Sequence, residues 1–440
     1  MLQSLTQAFK LPDVRKRIIF TLAMFGVYVL GAHVPLPGLD KQQMANLFTH
    51  DIFKLLDVFS GGSFRRFTVF ALGVMPYINA SIIFQLLTIA SKTVEEWNKE
   101  GEFGRKKISQ WTRYLTVMLA VVQAAGLVAL LRNSGALNIN AFQLVQIVLA
   151  LTAGTSFLMW VGEQITDKGI GNGISLVIFV GITVTMPGQL SGTFRLVASG
   201  AVPVTHLLFL IVIMLAMVVS IIFMQQAHRK VPVQYTKRVV GNRVLGGQSS
   251  FLPLRLNQAG VIPIIFAISI IQLPNVFTTS IKGDGLSAFL STLRLTVSSD
   301  GAQNFLDSVN HLFRPESGII ASVIYFGLCF FFTYFYTAVT FKPVDVADDL
   351  KKWGGFVPGI RPGRPTAEYL NNLMTRITLI GALFLGLIAL APFWVPSWTG
   401  IQTFSLVGGT SLLIVVGVAL DTMQQLEAHL LMRQYEGFVR

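Results

Sequence analysis

Residues 204–224 read "VTHLLFLIVIMLAMVVSIIFM", twenty-one positions without a single Asp, Glu, Lys or Arg. As a helix this stretch would rise about 31 Å, at roughly 1.5 Å per residue. The hydrocarbon core of a bilayer is about 30 Å thick. A helix apolar on every side and of that length finds its natural solvent in lipid, because no soluble core would cover all of its faces. This one run therefore sets the fold class, and the question becomes how often it recurs.

It recurs along the whole chain. Candidate spans fall at residues 17–34, 71–90, 113–131, 145–163, 174–189, 204–224, 258–276, 318–341, 376–394 and 403–421. The 440 residues are 52% hydrophobic and only 12% charged, with mean hydropathy +0.62, whereas soluble domains run near 25% charged. A transmembrane barrel would alternate with period two in segments of about ten residues, and the sequence does not. The expected fold is an all-α polytopic membrane protein with ten transmembrane helices. Residues 1–16 are amphipathic and lack a cleavage site close behind the late basic cluster at Arg15–Arg17, so they suit an interfacial helix better than a cleaved signal. The single cysteine, Cys329, leaves no intrachain disulfide.

Ten spans put both termini on one side, and the positive-inside rule says which. Of the 34 Lys and Arg, 25 fall on the terminus side and 9 on the other. Both termini are expected in the cytoplasm, which would hold most of the net charge of +13. Two cytoplasmic connections are long and basic, at residues 228–255 and 342–376. Their charge suits topological retention. Their length suits a docking task for an anionic partner such as ribosomal RNA, an acidic protein surface or anionic lipid. An outer connection at 190–203 divides the chain into halves of five spans, 17–189 and 204–421, followed by a tail at 422–440. An odd number of spans per half forces the halves into opposite orientation, the arithmetic of an inverted repeat.

The membrane interior is short of chemistry. Glu163, Asp167 and Asp421 fall at span ends, and the mid-span polar residues are neutral: Asn79, Gln85 and Gln123, with Asn257 and Gln258 entering the seventh span. Ion-coupled transporters usually keep an ionisable group at mid-membrane, which weighs against a secondary transporter for a small solute, the alternative reading. A non-conducting membrane scaffold is a third. A passage lined by aliphatic side chains would bar ions by refusing to wet. "GIGNG" at residues 169–173 resembles half a dinucleotide fingerprint but has no strand around it, and is expected as a tight turn. No Walker loop, zinc motif or nucleophile elbow occurs, so neither cofactor, metal nor catalysis is expected. One segment fits neither span nor loop: "DVFSGGSFRRFTVF", residues 57–70, about 21 Å long as a helix, too short to cross and too apolar for an ordinary loop.

Five stretches identify a family. They are "FALGVMPYINASIIFQLL" (70–87), "ITDKGIGNGISL" (165–176), "LPLRLNQAGVIPIIFA" (252–267), "GGFVPGIRPGRPTAEYL" (354–370) and "GGTSLLIVVGVALD" (408–421). In this order, nearly end to end, they resemble the SecY family, the large subunits of the bacterial protein-conducting channel. The resemblance implies two inverted, pseudo-symmetric halves around an hourglass pore, closed on its outer side by a short re-entrant helix, the plug. That gives residues 57–70 a task. Non-spanning backbone at membrane depth is tolerated where protein or a water-filled cavity surrounds it.

The same resemblance assigns residues. A pore ring of branched aliphatics falls on Val74, Ile78, Ile178, Ile182, Ile262, Ile265 and Ile414. The plug carries Phe59, Gly61, Gly62, Phe64, Arg65, Arg66 and Phe67, with the glycines as hinge and the arginines toward the outer funnel. The lateral gate between spans two and seven presents Asn79, Ser81 and Asn257, whose hydrogen bonds across it would be worth about 0.6–2 kcal/mol each. Docking of the motor ATPase SecA or of the ribosome falls on Arg361, with Arg243 and Arg255 as companions. The implied function is a passive, gated channel in the bacterial cytoplasmic (inner) membrane. It would pass unfolded secretory proteins across and release transmembrane segments sideways into lipid. The implied partners are the small subunits SecE and SecG, SecA, the ribosome through its RNA and proteins, signal peptides, nascent chains and membrane lipids.

Overall fold

A computed structural model describes residues 11–38, 57, 60–133, 135–137, 139–200, 202–235, 238–240, 243–245, 249–280, 308, 312, 318–401 and 408–438. Ten helices correspond to the ten apolar runs: α1 (Pro12–Gly31), α2 (Met75–Ala90), α4 (Glu102–Asn133), α5 (Ala141–Lys168), α6 (Gly173–Ala198), α7 (Val204–Gln226), α8 (Ile262–Ser280), α9 (Ile319–Thr340), α11 (Arg364–Thr399) and α12 (Thr410–Phe438). Two short helices, α3 (Lys92–Lys99) and α10 (Pro343–Lys352), follow α2 and α9. Seven of the ten, α4–α7, α9, α11 and α12, are long and apolar enough to cross a membrane.

Most helices outrun their apolar windows. α4 begins at Glu102, α11 at Arg364, and α12 continues to Phe438 through the expected tail. α6 continues to Ala198, so the outer connection expected at 190–203 shrinks to the residues after the helix. Nothing at residues 190–198 breaks a helix, since the only proline within α6 is Pro187.

The packing has an internal order. Within the first half, α1 packs on α5 and α6, α2 on α4 and α5, α4 on α5, and α5 on α6. Counting spans and adding five to each gives α7 on α11 and α12, α8 on α9 and α11, α9 on α11, and α11 on α12, and all of these also pack closely. The halves meet where α6 lies on α12 and where α8 lies against α2 and α4. A chain whose sequence shows no matching halves thus repeats its neighbour relations, as an inverted repeat requires.

The turn at residues 169–173 forms as expected. Gly171 has φ +91 and the Asn172 side chain caps α6 by accepting from the Ser175 amide at 3.2 Å. α1 holds that turn in place: Arg17 Nη1 donates to the Gly169 carbonyl at 3.2 Å, and the Ile170 amide donates to Thr21 Oγ1 at 3.3 Å.

The basic connection at 228–255 is largely strand. β1 (His228–Tyr235) pairs antiparallel with β4 (Ser249–Arg255), and β2 (Arg238–Val240) with β3 (Arg243–Leu245). β1 also takes β5 (Gly355–Phe356) from the second basic connection, giving a sheet in the order β4-β1-β5. Val231 and Val233 alternate with exposed neighbours, the period-two pattern of a half-buried strand. Val231 and Leu254 share a small core with Val357, Leu370, Met374 and Ile377 of the second connection and α11. The two loops are one folded platform.

Candidate functional site

The seven expected ring residues all belong to or border one large apolar core that draws on both halves. Val74, Ile78, Ile178, Ile182, Ile265 and Ile414 are buried members of one apolar cluster, and Ile262 packs against it from a half-buried position. They arrive from α2, α6, α8 and α12 and the turn before α2. Spacings of four and three put 178/182 and 262/265 on single helix faces, while Val74 caps α2 and its carbonyl accepts from the Ile78 amide at 3.0 Å. These helices also make the contacts between the halves, so the expected ring residues lie on elements of the seam. Short branched side chains at a seam between two bodies can part and close again without breaking a hydrogen bond.

Residues 60–74 are not a helix. They run as successive turns, with Gly61 at φ +67, Gly62 at φ +76, Phe67 at φ +48 and Gly73 at φ +56. Paired glycines cost a helix about 1 kcal/mol each, and left-handed φ ends it outright. This corrects the expectation of a short re-entrant helix as far as the described residues reach. Of the expected plug residues, Phe59 lies outside them. Phe64 and Phe67 are buried, but in a second cluster with Ala124, Val128 and Leu131 of α4 and Ile147 and Leu151 of α5, apart from the ring. The segment is moored by its aromatics to α4 and α5, and its glycines meet the pore helix. A Cβ on Gly62 would stand 3.2 Å from Thr185 of α6.

Further bonds fix the segment to the stretch after α1. Leu36 N donates to Phe67 O at 2.8 Å and Val69 N to Val34 O at 3.1 Å, around a bridge between Pro35 and Thr68. Tyr28 Oη donates to Ser60 O at 3.1 Å. Arg65 and Arg66 are exposed, as expected. His33 Nδ1 lies 2.8 Å from Val29 O, a carbonyl that can only accept, so Nδ1 carries the proton and Nε2 accepts from Arg66 Nη1 at 2.6 Å. Asp57 Oδ1 accepts from the Arg65 amide at 2.8 Å. Burial raises the Asp57 carboxyl to about 6, against the lowering effect of that amide and of the Arg65 and Arg66 charges.

α8 touches α2, where the gate is expected, and the three polar residues form no bond across that contact among the described residues. The hydroxyl of Ser81 accepts from Gln85 Nε2 at 3.4 Å within α2, and Asn257 Nδ2 turns back to Gly260 O at 3.1 Å. Each side chain serves its own backbone or helix, because a local partner costs less order than one on another helix. Asn79 is half-buried. Asn257 Oδ1, before α8, and Ser269 Oγ, within it, are buried with no partner among the described residues, and an unpaired buried polar atom costs about 1–3 kcal/mol. Ser269 was not singled out in the sequence, where a serine in an apolar run carries no signal.

The three docking arginines separate. Arg361 is exposed, in the turn before α11, and its carbonyl accepts from Thr366 Oγ1 at 2.8 Å. The backbone of Arg243 begins β3. Arg255, closing β4, is already engaged within the chain: Nη2 donates to Gln424 Oε1 at 2.9 Å, and Nη1 lies 3.7 Å from Asp421 Oδ1. Among the described residues, no group of three or more His, Cys, Asp or Glu is gathered to hold a metal.

Comparison with known proteins follows the same lines. The SecY family model matches residues 68–423. The protein translocase subunit SecY of Mycobacterium bovis is 43% identical over the full length of both chains. A solved SecY channel, described by a plug domain that stabilises the closed state and maintains a membrane seal, superposes with TM-score 0.63 at 16% identity over 96% of each chain. Sec61 in the canine ribosome–channel complex superposes with TM-score 0.62 at 17% identity over 96% of each.

Proposed function

This chain belongs to the SecY family, and on that premise we propose how its residues serve a pore-forming subunit of the protein translocase. It is a multi-pass membrane protein and a channel subunit. One observation carries the residue-level reading: six of the seven aliphatic side chains are buried in one apolar core that draws on both halves, and Ile262 packs against it. They are the constriction. Parted, they pass an unfolded chain; closed, they exclude water and ions.

Residues 57–70 are the plug, seated against α6 and moored to α4 and α5. The contact of α8 with α2 is the lateral gate. The unpaired Asn257 Oδ1 and Ser269 Oγ support this, because opening would let both atoms find a partner. The platform of β1, β4 and β5 is the cytoplasmic docking surface, with exposed Arg361 beside it facing SecA or the ribosome, and the family resemblance adds Arg243 of β3. The likeness to a channel solved with a ribosome supports the ribosomal half of that statement. SecE and SecG complete the complex. The chain lies in the bacterial cytoplasmic membrane with both termini inside, an orientation its Lys and Arg distribution supports. Residues 17–189 and 204–421 are the moving halves, and the work of transport comes from the partners.

Site-specific photocrosslinking tests the passage. With a precursor arrested midway, a crosslinker at Ile182 or Ile265 should capture the precursor, while one at Leu215, exposed on α7, should not. Equal capture at all three positions, or capture at Leu215 alone, would remove the ring from the path.

A further inference from the structure

The bond between Arg255 and α12 joins two parts of the molecule that the channel reading treats separately. Arg255 stands at the base of the β1–β4 hairpin, opposite His228. The next residue closes that base, with Leu256 N donating to Ala227 O at 2.9 Å. The Leu256 carbonyl is wedged against α11, where a Cβ on Gly381 would fall 2.8 Å from it. The base of the platform is thus pinned on one side by backbone contact with α11 and on the other by the Arg255 side chain.

Where that side chain goes matters. Asp421 and Gln424 are three residues apart on one face of α12. Seven residues before Asp421 is Ile414, two helical turns away on nearly the same face, with buried Val418 of the ring's cluster between them. Along the backbone, Arg255 precedes Ile262 of α8 by seven residues, across the turn closed by Asn257. Arg255 therefore sits at equal chain distance from two ring residues, one through its own backbone and one through its ion pair.

We infer that Arg255, with Asp421 and Gln424, is a coupling strut that fixes the start of α8 relative to α12, so that a push on the cytoplasmic platform moves Ile262 and Ile414 together. Arg255 is then a positioning residue and takes no part in docking. Its side chain and that of Asp421 are 44% and 57% exposed. Such a bond is weak and screened by salt, which suits a contact broken and remade in each cycle. A permanent structural tie would be better placed in the core.

The inference rests on the channel reading above. The test reconstitutes the unmodified chain, Arg255→Glu, Asp421→Arg and the double exchange in sealed vesicles with the small subunits, and measures two quantities. These are the affinity of SecA for the vesicles and the rate at which a precursor becomes protease-protected with ATP. Each single variant should slow protection about fivefold without changing SecA affinity, and the double exchange should restore most of the rate. Weakened SecA binding by Arg255→Glu that Asp421→Arg fails to rescue would make Arg255 a docking residue and overturn the strut. Rates unchanged in both single variants would also overturn it. So would lowered membrane accumulation of the single variants with a normal rate per channel, which marks a purely structural tie. No protection even by the unmodified chain would instead refute the channel reading, and the strut with it.

Discussion

Gly61 of the turn segment lies directly on Gly181 of α6: a Cβ built on Gly61 would stand 2.8 Å from the Gly181 Cα, and one built on Gly181 would stand 3.3 Å from the Gly61 Cα. Neither residue leaves room for a side chain on the other. Gly181 follows ring residues Ile178 and precedes Ile182, so the segment touches the pore helix at the level of the ring itself.

Substitution at Gly181 should therefore unseat the segment. Gly181 has ordinary helical φ, so alanine would favour α6 by about 1 kcal/mol on propensity alone. Its methyl would still press on Gly61 and on Tyr28 Oη, 2.8 Å from the Cβ position. Overpacking costs about 1–3 kcal/mol, and Gly181→Leu should raise the idle ion conductance of the channel in a planar bilayer by about tenfold or more. Conductance at the unmodified level would show that the segment does not seal.

The leak should also depend on pH. Asp57, raised to about 6 in the seated segment, would return toward its ordinary 3.8 once released into water. The seated state then binds more protons than the released state between those values, so seating strengthens as pH falls through that window and weakens as pH rises through it. Between pH 7 and pH 5 the released fraction should drop about tenfold. Asp57→Asn should hold the low-leak level at both pH values; a steep dependence persisting in that variant would assign the titration elsewhere.

Polar substitution in the ring should admit ions even with the plug in place. Ile182 is 1% exposed, and Ile182→Asn would put an unsatisfied amide into the constriction, at a cost of roughly 1–3 kcal/mol unless water enters with it. Water entry is the expected relief, read as raised conductance that Ile182→Val does not reproduce.

Arg361→Glu should abolish SecA-driven transport while the chain still accumulates in the membrane, because the exposed arginine holds up none of the platform's core. Arg361→Lys should act partway, since a lysine keeps the charge without the planar fork. Transport at the normal rate by Arg361→Glu would remove that residue from the docking surface.

Local signals were legible in the sequence, and long-range partners were not. The apolar run at 204–224 became α7 almost residue for residue, and the ten spans all became helices. Their ends were missed because α4 and α11 continue as charged helix outside the lipid, where hydropathy is blind. Val231 and Val233 carried a strand signal in a loop noticed chiefly for its basic charge. Gly61 and Gly62 marked the turn segment, yet their left-handed φ excludes the short helix that the family resemblance implied. The ring residues were placed by family resemblance, since aliphatic pairs at helical spacing look alike in core, lipid face and pore. The family resemblance groups Arg255 with Arg361 for docking; the approach of α12, some 166 positions later at Asp421, distinguishes the two.

The most direct measurement of the central claim is protease protection of an unfolded precursor by sealed vesicles holding this chain with its small subunits, after addition of SecA and ATP. The account predicts protection that appears with ATP, vanishes without it, and is lost in Arg361→Glu. Absence of protection in the presence of demonstrated SecA docking would contradict it.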